Sequence, residues 1–227
     1  MMEIPLFPLH TVLCPGIVLP LHVFEERYRI LVERCLDEGS SFAVVRIREG
    51  REVGTAPVDL ERVGTIARLR RVTRLPDGRF EILALGAERF RIDAVTADRE
   101  PYLVADGRLL GEPLGDPERV PALVEQLGRG LVRLLAALSP GDRPDGGGSP
   151  DEVARRLAEV EDPTALSHLL AGLVPVEPAV RQGLLEATTT EARLVELERV
   201  LARETMLLEH RLAAWPVDPR ESAGRTN

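Results

Sequence analysis

The chain has 227 residues, of which 44% are hydrophobic and 29% are charged, as expected for one large or two small globular domains. Its 37 acidic residues outnumber its 29 basic ones, and the net charge of -8 argues against nucleic-acid or membrane binding through bulk electrostatics. Every basic residue is an arginine, which excludes chemistry that needs a lysine amine, including a P-loop, a Schiff base and a Ser-Lys dyad.

The two cysteines, Cys14 and Cys35, are too few for a disulfide framework. The sequence shows no basic leader followed by an apolar segment, and no apolar run approaches the roughly 20 residues of a membrane span. These features predict a cytoplasmic protein.

The first 39 residues contain two short apolar runs and an amphipathic helix. The run at 4–9 contains Pro5 and Pro8, which predicts a strand at a sheet edge because proline cannot donate to a ladder. After the Pro15-Gly16 turn, the run at 17–23 is apolar on both faces, as in a strand covered on both sides. From Phe24 a three- and four-residue spacing predicts a helix that ends at Gly39.

Further strands are predicted at 41–47, 61–74, 80–86, 90–94 and 102–110, with Pro76-Asp77-Gly78 as a hairpin turn. In the run at 90–94, an alternating pattern predicts one packed face and one wet face that includes Arg89 and Arg91. Because helices do not alternate with these strands, the pattern favours a closed or half-closed antiparallel barrel.

After Pro113 the pattern becomes helical. Apolar residues at helical spacing begin at Val120, and helix starts are predicted at 149–152, at Asp162-Pro163 and at a capping box of Thr188 with Glu191. A long final helix, 191–212, carries a leucine seam made of Leu194, Leu197, Leu201 and Leu208. We expect a flexible linker at 139–148 and a disordered tail at 216–227.

Several segments resemble the Lon substrate-binding domain family, the amino-terminal domain of ATP-dependent Lon proteases. They are L-F-P-L (6–9), C-P-G-I-V-L-P-L-H-V-F-E-E-R-Y-R (14–29), V-G-T-I-A-R (63–68), G-A-E-R-F-R-I (86–92) and D-P-T-A-L-S-H-L-L-A-G-L-V-P (162–175). Cys14 departs from the pattern, since relatives usually have an aromatic or larger apolar residue there. The chain is identified as a free-standing bacterial member of this family.

The resemblance implies an α+β fold, with a PUA-like β pseudo-barrel at 1–112 followed by a helical bundle at 113–215. It also implies a protein-binding module for quality control, with no catalysis, cofactor or metal of its own. Its expected partners are unfolded or tagged client proteins and a Lon-type protease. The leucine seam adds the prediction of a weak homodimer.

Four apolar residues beside turns are the predicted partner contacts: Ile17, Val18, Leu75 and Phe80. Core packing is the alternative for each. Contact with exposed hydrophobic segments would gain about 25 cal/mol for each Å² of apolar surface buried.

Two other functions remain open from the residues alone. The arginine cluster Arg68, Arg70, Arg71 and Arg74 could contact RNA phosphates, although it lacks interleaved aromatics and Glu61 and Glu81 are expected beside it. A hydrolase of unidentified substrate would need an acid-base pair such as Glu25 with Glu26 or Glu88 with Asp93, which are better read as solvated charges. His10, Cys14, His22 and Cys35 have ligand chemistry but no zinc-site spacing, and His168 and His210 are predicted to be solvated or capping.

Overall fold

The structure is a computed structural model that describes residues 2–52, 59–97, 99–138, 155, 157 and 159–214. Only the backbone is described for residues 135–138 and 211–214. The predicted linker at 139–148, the helix start at 149–152 and the tail at 216–227 lie outside the described residues.

Seven strands form one mostly antiparallel sheet: β1 (Met2–Leu9), β2 (Val18–Val23), β3 (Phe42–Glu49), β4 (Asp59–Leu60), β5 (Val63–Arg74), β6 (Phe80–Thr96) and β7 (Val104–Leu109). The strand order is β1-β7-β6-β5-β3-β4, and β1 also pairs with β3 in parallel, so the pairings return to the first strand. β2 lies off this path and pairs with β6 alone.

Within the described residues, five helices accompany the sheet: α1 (Glu26–Glu38), α2 (Val120–Leu138), α3 (Pro163–Leu173), α4 (Pro178–Glu186) and α5 (Thr190–Ala214). The architecture is α+β, as predicted, with every strand and α1 before residue 110 and the other helices after it. No helix in the described ranges is both long and apolar enough to cross a membrane.

β1 is not an edge strand, contrary to the prediction from its two prolines. Residues 2–5 pair with β7 and residues 6–9 pair with β3, so the strand changes neighbours halfway. The Leu6 N–H points to β7, where it donates to Leu103 O at 2.8 Å. Successive backbone nitrogens of a strand face opposite sides. The nitrogen of Pro8 faces the β7 side, where the pairing with β7 has already ended at residue 5. The nitrogen of Pro5 faces the β3 side, where the pairing with β3 begins only at residue 6. Neither proline therefore removes a ladder hydrogen bond.

β2 is an edge strand with alternating exposure, so the prediction of a strand covered on both sides is wrong. Val23 is buried, whereas Val18, Pro20 and His22 are exposed. Both faces of the strand are apolar in sequence, but no layer formed by the described part of the chain covers the outer one. Periodicity alone cannot distinguish a covered apolar face from an open one.

The predicted hairpin is confirmed. Arg74 pairs with Phe80, and the turn closes through Gly78, whose φ of 81° is left-handed and whose N–H donates to Leu75 O at 2.9 Å. The runs predicted separately at 80–86 and 90–94 form one 17-residue strand, β6, which pairs with β2, β5 and β7 along its length.

Three apolar clusters fill the interior. One lies between the sheet and α1, where the Phe7 and Tyr28 rings stack with centroids 4.2 Å apart. The second, inside the strand cycle, includes Leu6 and Phe90, and the third fills the helical part.

α1 ends at Gly39 with a φ of 62°, as predicted. Phe24 and Leu36, however, are about half exposed.

In the helical part, α2 and α5 contribute to one apolar cluster. The segment before α2 is tied to the start of α5, because the N–H groups of Thr190 and Glu191 donate to the carbonyls of Pro113 and Leu114. The Asp162 cap is confirmed, since its carboxylate accepts from two N–H groups of α3. The capping box predicted from Thr188 and Glu191 is wrong in detail. Thr189 caps α5 by accepting from Ala192 N at 3.0 Å, while Glu191 accepts from Asp116 N instead.

The leucine seam of α5 is used within the chain. Leu194, Leu197 and Leu201 are at most 1% exposed and pack in the cluster that α2 shares. They are therefore not available to a second copy, and the reason given for a homodimer is corrected.

Arg89 of β6 joins the sheet to the helical part. Its side chain is 2% exposed, although the alternating pattern predicted a wet face. Arg89 Nη1 donates to the carbonyls of Leu185 and Ala187 at 2.7 Å each, at the end of α4. The strand pattern failed here because the outer face of this half of β6 is covered by helices.

Glu112 is the counterion of this junction. Its carboxylate accepts from Arg89 Nε at 2.5 Å and from Arg193 Nη2 of α5 at 3.2 Å. Arg193 is fully buried and also donates to Leu184 O at 3.0 Å. Partial burial alone would raise the pKa of Glu112, but contact with His168 and the two arginines lowers it to about 2.

His168 is buried in the same junction, so the prediction of a solvated or capping histidine is wrong. Its Nε2 lies 3.1 Å from Glu112 Oε1 without the alignment of a hydrogen bond. Burial is the main cause that lowers the pKa of His168, and Arg193 and Arg89 add to it against the attraction of Glu112. The imidazole is therefore neutral at neutral pH.

Replacing Arg89 tests the junction. We expect Arg89→Met to lower the free energy of unfolding by about 3–5 kcal/mol, because it leaves Glu112 and the carbonyls at the end of α4 without their donor. Arg91→Met, at an exposed arginine two residues along β6, is the matched control and should change it by less than about 0.5 kcal/mol. Urea unfolding measures both, and equal effects would contradict this account.

Acid titration tests Glu112. Its pKa is lowered in the folded state, so its contribution is complete above the unfolded value of 4.5 and is lost as pH falls toward about 2. The loss should be about 3–3.5 kcal/mol, from a shift of about 2.5 pKa units at roughly 1.4 kcal/mol per unit. Glu112→Gln should be less stable at pH 7 and should lack this part of the pH dependence. Parallel stability curves for the two proteins between pH 2 and 5 would refute the assignment.

Candidate protein-binding face

Three neighbouring strands, β2, β6 and β5, leave one face uncovered. Cross-strand partners lie on the same side of a sheet, so the pairing register groups the side chains of this side into rows. The three rows are Val18 with Leu85 and Arg68, Pro20 with Leu83 and Arg71, and His22 with Glu81 and Thr73. We call these nine residues the open face.

The open face combines apolar and charged side chains. Val18 is 49% exposed, and Leu83 and Leu85 are partly exposed beside it. Pro20, Leu83 and Arg71 line a shallow groove of about 440 Å³, with Glu81 and Thr73 at one side. Phe24 continues the outer row of β2, is 51% exposed and stacks on His22 with ring centroids 6.2 Å apart.

The start of β2 is fixed by close backbone contacts. Gly86 N donates to Ile17 O and Gly16 N donates to Gly86 O, both at 2.9 Å. A Cβ atom at Gly86 would lie 2.3 Å from Cys14 O, so only glycine allows this approach. Ile17 in turn packs on Gly172 of α3, where a Cβ atom would lie 2.2 Å from Ile17 Cγ1. The sheet and α3 together thus position Val18.

The four predicted contact residues differ in their exposure to solvent. Val18 lies on the open face. Ile17 and Leu75 are half-buried, and Ile17 packs against two of the apolar clusters. Phe80 is 2% exposed on the opposite side of β6, under the Arg74 guanidinium at 5.5 Å, and so is not accessible to a partner. The prediction of Phe80 as a contact is corrected, because its side of the strand packs toward α1.

Pro20, Phe24, Leu83 and Leu85 also lie on or beside the open face, and the sequence did not predict their exposure. Residues 80–86 alternate Phe80, Ile82 and Ala84 with Glu81, Leu83 and Leu85, and both sets contain apolar residues. The one signal for the outward side was Glu81, the single charged residue of that run.

The arginine cluster lies beside the open face, with all four members exposed. Arg68 pairs with Glu88 at 2.5 Å and Arg74 pairs with Glu33 at 3.0 Å. The expected neighbour Glu61 instead pairs with Arg46 at 2.6 Å. Arg70 and Arg71 make no ion pair with any described residue.

The candidate catalytic and metal-binding residues are not brought together. Cys14 and Cys35 are buried in different clusters, whereas His10 and His22 are exposed. Burial raises the pKa of Cys14 to about 11, so its thiol is protonated at neutral pH. Among the described residues, no three potential ligands are grouped around a metal position. The candidate acids Glu25, Glu88 and Asp93 each pair with an arginine.

Comparison with known proteins identifies the family. The model of the ATP-dependent protease La (LON) substrate-binding domain matches residues 3–203. The chain belongs to this family. The chain is 32% identical over 212 residues to Lon protease 2 of Herpetosiphon aurantiacus and 28% identical over 211 residues to Lon protease of Escherichia coli. These matches cover 92% and 91% of this chain but only 24% and 25% of the relatives.

Solved structures agree with the family. The Lon N-terminal domain protein of Xanthomonas campestris superposes with a TM-score of 0.62 at 26% identity, covering 87% of this chain and 97% of that one. The N-terminal domain of the Mycobacterium avium complex Lon protease gives a TM-score of 0.68 at 20% identity, covering 90% and 98%. At 20% identity, the second match shows a shared fold and no more.

Gly86 provides a test of how β2 is positioned. We expect Gly86→Ala to lower the free energy of unfolding by about 1–3 kcal/mol, because the new methyl group overlaps the Cys14 carbonyl. The matched control is Gly183→Ala in α4, where no atom lies within 4 Å of the added Cβ and the change should stabilise by roughly 0.5–1 kcal/mol. Thermal unfolding distinguishes the two, and a neutral Gly86→Ala would contradict the close approach.

Proposed function

We propose that the open face binds exposed apolar segments of other polypeptides, and that the chain is a non-catalytic client-binding module in protein quality control. The observation that carries the proposal is the exposed apolar row of Val18, Pro20 and Phe24 next to Leu83 and Leu85, which no element among the described residues covers. Exposed apolar groups that are contiguous mark interaction sites more often than scattered ones do.

The physical gain is modest and suits transient binding. Covering roughly 300 Å² of apolar surface contributes about 7 kcal/mol before the losses of translational and side-chain freedom are subtracted. The net affinity is then weak for any single segment. A module that must release many different clients needs such an affinity.

Side-chain burial, rather than strand addition, is the favoured mode of contact. Gly86 N–H donates to Ile17 O, so Leu19, Leu21 and Val23 direct their backbone groups to β6 and the alternate residues direct theirs outward. Pro20 is the central outward residue and has no N–H to offer. A proline at this position protects a free edge against pairing with another strand, including β2 of a second copy.

The absence of catalysis is part of the proposal. It is supported by the family match, which is to a substrate-binding domain, and by the pairing of candidate carboxylates with arginines. The relatives are named Lon proteases, and we infer that bound clients are passed to a Lon-type protease in the cytoplasm. The cycle of strand pairings further supports a PUA-like pseudo-barrel as the scaffold.

Binding of an unfolded model protein tests the proposal. A globular protein that has been reduced and blocked with iodoacetamide should bind the wild type, whereas its native form should not. The double variant Val18→Asp with Leu83→Asp should weaken binding at least tenfold, because two charges must then be desolvated beneath the client. Fluorescence anisotropy of the labelled client provides the dissociation constants.

The control variant is Val132→Asp, which places the same charge at a 55% exposed valine on α2, away from the open face. It should bind as the wild type does. Circular dichroism and thermal unfolding establish that each variant is folded. Equal binding by the wild type and the folded double variant would refute the open face as the site.

A further inference from the structure

We infer that Arg71 is the specificity-determining residue of the open face and that it selects apolar segments carrying one acidic side chain. This inference rests on the proposed function and deepens it by naming the chemistry of the preferred client. It follows from the two opposite charges that line the groove, those of Arg71 and Glu81.

Arg71 lines the groove, and its guanidinium forms no ion pair with a carboxylate of the described residues. It lies opposite Leu83 in the strand register and lines the groove together with Pro20. Two other members of the arginine cluster have ion-pair partners: Arg68 pairs with Glu88, and Arg74 pairs with Glu33. Arg71 makes no ion pair or hydrogen bond with any described residue, so none of these residues competes with a ligand for its donors.

Glu81 limits the number of acidic groups that the groove accepts. It is two residues from Leu83 along β6, about 7 Å away at the rise of a strand, and lies in the next row with Thr73 and His22. A carboxylate beside Arg71 is attracted, whereas a second one beside Glu81 is repelled. The groove therefore fits a segment with an acidic residue at one end of an apolar stretch.

The acidic group is a side chain rather than a chain terminus. Sites that bind a terminal carboxylate use several converging backbone N–H groups. Here the backbone of β6, at the floor of the groove, is used in the ladders with β2 and β5. A single guanidinium at one side of an open groove suits one Asp or Glu in a passing chain.

RNA fits the same surface less well. Successive phosphates along a strand would meet Glu81 and Glu88 as well as Arg71. Among the described residues that line the groove, His22 has the one aromatic ring, and its Nε2 lies 3.1 Å from Arg79 Nη1. Sequence-tolerant single-strand binding needs several stacking rings in a basic channel.

Paired peptides test the inference on the full chain. One labelled peptide, blocked at both ends, has five apolar residues and a single Asp, and its twin has Asn in place of Asp. The wild type should bind the Asp peptide about two- to fivefold more tightly, the effect of a partly solvated ion pair. The preference should shrink at about 0.5 M salt, where charges are screened over a few ångströms.

Arg71→Gln should bind the two peptides equally. Arg91→Gln, at an exposed arginine that has no ion pair among the described residues and lies outside the groove, should keep the wild-type preference. A third peptide, the Asn twin with a free C-terminal carboxylate, should bind no more tightly than the blocked twin. A labelled single-stranded RNA should neither bind nor displace the Asp peptide.

The outcomes separate this inference from the proposed function. Equal binding of the twins by the wild type, or a preference that survives in Arg71→Gln, overturns the role of Arg71 while client binding stands. Tighter binding of the free-carboxylate peptide or of RNA overturns the choice of ligand. No binding of either twin, together with unchanged binding of the unfolded protein by the double variant, overturns both.

Discussion

The carboxylate of Glu112 is the contact on which the arrangement of the molecule depends. It lies between Arg89 of the sheet and Arg193 of α5, both of which are buried and both of which also donate to carbonyls at the end of α4. Without this carboxylate, the interface would contain two desolvated cations and no anion, which costs several kcal/mol. The helices are therefore held against the half of β6 that contains Arg89. The position of the helices in turn determines which part of the sheet stays uncovered.

The open face follows from the length of β6. This strand is paired with β5 and β7 around the strand cycle, and its first half extends far enough to accept β2 as an additional neighbour. Among the described residues, the helical part covers β6 at Arg89 and approaches β2 just before its start, where Ile17 contacts Gly172. The outer row of β2 thus remains apolar and exposed, and Pro20 prevents the exposed edge from becoming a template for uncontrolled strand pairing.

Arginine serves two purposes in a chain that has no lysine. In the interior, the planar guanidinium with its several donors binds more than one carbonyl at once, as Arg89 does at α4 and Arg181 does at the end of α3. On the surface beside the open face, Arg68 and Arg74 each pair with a glutamate, whereas Arg70 and Arg71 make no ion pair with any described residue. Of these two, Arg71 lines the groove together with Glu81, and in the proposed function its positive charge is the means of discrimination among clients.

The sequence by itself determined the elements whose signal is local. These include the hairpin around Gly78, the stop of α1 at Gly39, the Asp162 cap and the division into strands followed by helices, since turn chemistry and capping act within a few residues. The family was also determined by sequence, because its motifs run along the whole chain. Only the tertiary structure decided which apolar faces were covered: it buried Phe80, Arg89 and His168 and left Val18, Leu83 and Leu85 open. Burial depends on which distant layer packs on a face, and alternation along one strand carries no information about that layer.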